Sequence, residues 1–146
     1  MKIYTIGFTK KSAQTFFELL RLNGVQRLVD IRLKPSGQLS GFAKKDDLPY
    51  FLDRLAGHCA YAHLPELAPS EEILDTYRET KDWSQYAIQF QALMDQRRIP
   101  DTLELASFEK QASCLLCSEE IPKQCHRRLV AERLAEHWPE VEIIHL

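Results

Sequence analysis

The sequence predicts an α/β domain of three layers, with a mostly parallel sheet of about five strands and helices on both faces. Three observations carry this. Short apolar or β-branched runs alternate with longer segments of helical period along the whole chain. The bodies of those short runs are mainly apolar, as strands covered on both sides must be. The chain has 146 residues and is 45% hydrophobic, which suits a single domain spanning 1–146.

Each element has a local reason. KIYTI (2–6) is β-branched and aromatic and runs into Gly7, so it reads as a buried strand. Ser12 is placed to cap a helix over 13–22, with Ala13, Phe16, Phe17 and Leu20 on one face and Asn23-Gly24 at its end. QRLVDIR (26–32) is the second strand, followed by the Gly-, Ser- and Pro-rich loop KPSGQLSG. Asp46 or Asp47 starts a helix over 48–56, closed by Gly57. CAYAHL (59–64) is the third strand. Pro69-Ser70 opens a short acidic helix, and Trp83, Tyr86, Ala87, Phe90, Leu93 and Met94 recur at helical spacing over 83–97. Residues 102–110 suit one or two helical turns. SCLLC (113–117) is the fourth strand, HRRLVAERLAEHW the last helix, and VEIIHL the terminal strand.

Composition narrows the function classes. The net charge of −2, with both signs interspersed, argues against a dedicated duplex-DNA binder. No apolar run approaches the roughly 18 residues of a membrane span. The N-terminus lacks the apolar core of a secretory signal. A cytoplasmic protein is therefore expected, with its four cysteines reduced. There is no dinucleotide fingerprint and no phosphate-binding P-loop. No cofactor is expected, and the sequence does not set the oligomeric state.

Ligands of open α/β sheets bind outside the strand carboxyl ends. Those ends carry Gly7 and Thr9, Asp30 and Arg32, His63, and Cys117 with Glu119. Asp30 and Arg32 are two apart on a strand and point the same way, so the carboxylate is placed to orient the guanidinium fork. His63 suits either a satisfied half-buried histidine or an acid/base group.

The richest stretch is SCLLCSEEIPKQCHRR (113–128). Cys114 and Cys117 lie three apart on a strand and face opposite sides, so they do not share a metal. Cys125 follows a loop and stands near a helix N-terminus beside Arg127 and Arg128. Both features stabilise a thiolate. Cys117 brackets the same loop and is a candidate resolving partner. Candidate catalytic groups are thus Cys125, Cys117, His126 and Glu119. Candidate ligand contacts are Gly7, Thr9, Asp30, Arg32, His63, Arg127 and Arg128. A second reading gives Cys117, Cys125 and His126 to a metal, with His63 or a carboxylate as fourth ligand. A third makes the chain a nucleic-acid-binding or interaction module, with Arg127, Arg128 and Arg133 joining Lys10, Lys11, Lys44 and Lys45 in a basic face. Cys59 and Cys114 read as small core hydrophobes.

YTIGFT, LVDIRLKP, Phe42, YAHLPEL and LLCSEEIPKQCHRRLVAERL together resemble the family named domain of unknown function 488. That resemblance implies an α/β domain with these blocks around one cleft and supplies no reaction. Members often carry His-Ser where this chain has Phe8-Thr9. The leading expectation is a small anionic ligand (phosphate, nucleotide or carboxylate) bound at the strand carboxyl edge, with thiol chemistry at Cys125.

Overall fold

The structure, a computed structural model, describes all 146 residues and every side chain except that of Gln38. The first strand, β1 (Lys2–Gly7), leads to helix α1 (Ala13–Leu22), capped by the Ser12 hydroxyl, which accepts from the Thr15 N–H. Strand β2 (Arg27–Asp30) is followed by two short helical turns over Gln38–Ala43 and by α2 (Leu48–Leu55). Strand β3 (Ala60–His63) precedes α3 (Glu71–Thr80), capped by Ser70, and α4 (Trp83–Gln96), capped by Asp82. The ambiguous segment contains one short helix, α5 (Leu105–Lys110). Strand β4 (Ser113–Cys117), helix α6 (His126–His137) and strand β5 (Glu142–His145) complete the chain.

The strands form one sheet in the order β3-β2-β4-β1-β5, and every pairing is parallel. The expected "mostly parallel" sheet is therefore wholly parallel. Parallel strands need coverage on both faces, and two apolar layers supply it. Phe16, Phe17, Leu20 and Leu52 of α1 and α2 pack with Tyr4, Ile6, Leu28, Cys114 and Leu116. Ile73, Phe90, Met94, Phe108 and Val130 of α3 to α6 pack with Ile3, Val29, Leu115 and Cys117. Cys114 and Cys117 fall into opposite layers, as their spacing requires. No described helix is long and apolar enough to cross a membrane.

Candidate functional site

The topology opens a crevice at one place. Strands β1 and β2 feed α1 and α2 on one face of the sheet, whereas β4, lying between them, feeds α6 on the other. Connections that leave in opposite directions part above the carboxyl end of β4, the arrangement that admits ligands in open α/β sheets. The crevice encloses about 420 Å³, with Arg32, Ser118 and His126 on one side and Glu71, Leu74, Tyr77 and Arg78 of α3 on the other. It adjoins a recess of about 130 Å³ walled by Tyr77, Trp83 and Tyr86 and reaching Cys117, Cys125 and His126. The aromatic wall is self-supporting. Trp83 stacks on Tyr86 at 4.9 Å between centroids, and Tyr77 contacts Tyr86 at 5.0 Å.

Arg32 is held in the crevice by buried contacts. Its Nε and Nη2 donate to Asp30 Oδ1 and Oδ2 at 2.9 and 2.8 Å, a two-pronged pairing. Nη2 also reaches the Ala43 carbonyl at 2.6 Å, and Tyr61 donates its hydroxyl to Asp30 Oδ2 at 2.6 Å. Burial, and then the Asp30 carboxylate, push the Tyr61 pKa up, so the phenol keeps its proton. Among the described residues Nη1 has only a long contact to Ser40 Oγ at 3.4 Å. His63 is half-buried, with Nε2 at 2.8 Å from the Arg32 carbonyl and Nδ1 at 3.4 Å from Lys45 Nζ. The carbonyl makes Nε2 the protonated nitrogen.

The cysteine segment closes on itself. Cys117, the last residue of β4, and Cys125, the N-cap of α6, form a disulfide. The expected reduced state of all four cysteines is thus not shown at this pair. The seven residues between them (118–124) fold back over the sheet edge and bring the two sulfurs together. Cys59 and Cys114 are free and buried. Burial raises the Cys59 pKa to about 11 and that of Cys114 well above the usual thiol range.

Arg127 is fully buried, and its donors are spent within the protein. Nε donates to Thr5 Oγ1 at 3.3 Å, Nη1 to the Glu119 carbonyl and Nη2 to the Glu120 carbonyl at 3.3 Å. Nη1 also lies 3.7 Å from Cys117 Sγ and 3.9 Å from Cys125 Sγ. Among the described residues it has no carboxylate partner. Where the sequence expects a ligand contact, the structure places Arg127 as a strut that ties the β4–α6 loop to β1. Gly7 serves the same contact. A Cβ there would overlap the Glu119 carbonyl and sit 2.6 Å from Arg127 Nη1, so Gly7 makes room for the loop.

His126 opens α6 beneath both cavities. Its Nε2 donates to the Ile31 carbonyl at 2.7 Å, which leaves the lone pair on Nδ1. Burial lowers its pKa to about 4, against the opposing pull of that hydrogen bond, so the ring is neutral at pH 7. A ring nitrogen of His126 and the sulfurs of Cys117 and Cys125 all lie within 4.8 Å of one another. That donor set fits the metal reading as well as the thiol reading.

The other expected residues are dispersed. Thr9 is exposed, with its N–H on the Ser118 carbonyl at 3.1 Å. Arg128 pairs with Glu132 at 3.2 Å along α6, outside the crevice. Glu119 is exposed and lines both cavities. Arg133 is tied to Asp95 and the Ile99 carbonyl, and with Arg127 buried the expected basic face loses two of its members. Sequence reasoning missed Tyr61, Ser40 and the Tyr77–Trp83–Tyr86 wall. Trp83 and Tyr86 do show a helical period, which reads as core rather than as the lining of a cleft.

A family model described as Domain of unknown function DUF488 matches residues 12–134. No curated protein and no solved structure matches the chain. The match takes in Asp30 and Arg32, YAHLPEL and the whole cysteine segment, and it begins after YTIGFT. The chain belongs to this family, whose description assigns no activity.

Proposed function

We propose that this member of the DUF488 family is a thiol–disulfide exchange protein acting on a small disulfide that bears a carboxylate or phosphate. One observation carries the reading: Arg127 is a buried guanidinium whose partners among the described residues are carbonyls, the Thr5 hydroxyl and the two sulfurs, with no carboxylate. A buried charge without a counter-ion is costly, and a thiolate at Cys117 or Cys125 supplies one. The N-cap position of Cys125 adds the N–H groups of the first turn of α6.

The exchange balances as follows. In the reduced protein the Cys125 thiolate attacks one sulfur of a substrate RSSR. A Cys125–S–S–R bond forms and RS⁻ leaves. Cys117 gives up its thiol proton to water, with Arg127 stabilising the thiolate, and that thiolate attacks Cys125 Sγ. The intramolecular disulfide forms, and a second RS⁻ leaves and takes a proton from water. The protein dithiol is oxidised and RSSR is reduced. The acidic group of R sits at Arg32 Nη1, which Asp30 and Tyr61 hold in place.

Cys117→Ser separates the two steps. Incubated with glutathione disulfide, this variant is expected to accumulate one glutathionyl adduct on Cys125, read by intact mass and peptide mapping. Cys125→Ser is expected to accumulate none. An unmodified Cys125 in folded Cys117→Ser, or equal labelling in both variants, would remove the thiol role.

A further inference from the structure

We infer that the reduced site takes a single zinc-class divalent cation on Cys117 Sγ, Cys125 Sγ and His126 Nδ1, so that disulfide and metal are alternative occupants of one buried centre. The inference rests on the reading above in one respect, that the pair can be reduced.

Three features point to a metal rather than to a bare dithiol. The first is the donor set. Two thiolates and one imidazole are the ligands of zinc and of soft first-row ions, and they do not suit magnesium or calcium, which take oxygen. The second is reach. Tetrahedral bonds of roughly 2.0–2.3 Å place neighbouring ligand atoms about 3.5 Å apart. The two sulfurs and a ring nitrogen of His126 lie within 4.8 Å of one another, so small rotations close the set once the sulfur–sulfur bond is gone.

The third feature is the outer contacts. Metal-bound histidines characteristically donate their other ring N–H to a carbonyl or carboxylate, which fixes the tautomer and aims the lone pair. His126 already does this through Nε2 and the Ile31 carbonyl. Arg127 Nη1 stands 3.7 and 3.9 Å from the two sulfurs, placed to hydrogen-bond metal-bound thiolates. Residues 117, 125 and 126 are all buried, and their open side is the aromatic recess. The fourth coordination position therefore faces that recess and is left for water or an incoming ligand, the arrangement of an open rather than a purely structural site.

Interconversion balances with a thiol reductant. Two RSH reduce the disulfide to two protein thiols and release RSSR. The cation then displaces both thiol protons and binds the thiolates, with His126 contributing a neutral nitrogen.

Cobalt(II) is the probe, added to reduced, untagged protein without chelator. The expected result is a thiolate-to-cobalt charge-transfer band with intense tetrahedral d–d bands, saturating at one ion per chain and lost when zinc is added. Disulfide-form protein gives neither band. Cys114→Ser retains both, Cys125→Ser loses the charge transfer at Cys125, and His126→Gln binds cobalt at least ~10-fold more weakly. Circular dichroism confirms that each variant is folded. A reduced wild-type protein without the bands, or folded Cys125→Ser with unchanged bands, overturns the inference. If Cys117→Ser still forms the Cys125 adduct in that case, the metal site alone fails. If cobalt binds and no adduct forms, the exchange reading alone fails.

Discussion

At the scale of single residues, four cysteines share one chain and differ in what surrounds them. Cys59 and Cys114 are held protonated by burial, with the Cys59 pKa near 11. Cys117 and Cys125 meet beside a cation. After reduction, alkylation of the native protein at neutral pH is expected to label Cys125 and Cys117 and to leave Cys59 and Cys114 unlabelled until denaturant is added. Peptide mapping of the labelled protein reads this directly. His126 makes a pH prediction. Its folded pKa of about 4 lies below the ordinary 6.5, so the unfolded chain takes up a proton that the folded protein refuses. The stability His126 confers is full above about pH 6.5 and is lost as pH falls toward 4. The loss is on the order of 3 kcal/mol. His145, also lowered by burial, acts in the same sense. Denaturant melts from pH 7 to 4 should therefore show a shallower loss in His126→Gln than in wild type, and equal slopes would contradict the assignment.

At the scale of elements, the β4–α6 connection is the device that assembles the site. Arg127 reaches out of α6 to the Glu119 and Glu120 carbonyls and to Thr5 on β1, and Gly7 leaves space for that crossing. Gly7→Ala is expected to cost roughly 1–3 kcal/mol through overpacking. Backbone amide exchange should quicken selectively in the β4–α6 loop, and uniform protection would show that the loop does not lean on Gly7. Much of this element was legible. The apolar SCLLC run predicts a strand, its spacing puts Cys114 and Cys117 on opposite faces, and CHRR falls at a helix start as expected. The fate of Arg127 was not legible. An arginine two residues past an N-cap has the same local sequence whether it points outward or inward. The choice depends on β1 lying beside β4, with Gly7 level with Cys117. That is a fact of strand order, which local pattern does not encode. The aromatic wall was hidden for a related reason. It forms only because α3 and α4 pack on each other and bring Tyr77 to Tyr86.

At the scale of the whole molecule, the proposed exchange requires that redox change at the site leave the fold standing. Two apolar layers cover both faces of the sheet, and the cysteine pair belongs to only one of them, as two members among many apolar side chains. The pair closes a short loop, with a sequence separation of 8, so its contribution is modest, roughly 2–3 kcal/mol on a chain-entropy basis. Reduction is therefore expected to lower the unfolding free energy by that amount, read from denaturant melts, while far- and near-ultraviolet circular dichroism stay native. Loss of the near-ultraviolet signal on reduction would mean that the pair is structural. The alternation of strands and helices made this architecture readable in advance, because burial on both faces leaves its mark in every strand. The crevice followed only once β4 was found between β2 and β1.

The central claim is that Cys117 and Cys125 interconvert between dithiol and disulfide within the folded protein. Equilibration across a series of glutathione redox buffers, followed by acid quench, alkylation and peptide mass analysis, tests it most directly. The account predicts one reversible two-electron transition confined to Cys117 and Cys125, with Cys59 and Cys114 unchanged throughout. A pair that stays in one state across the whole series, or a transition that appears only when the protein unfolds, would contradict it.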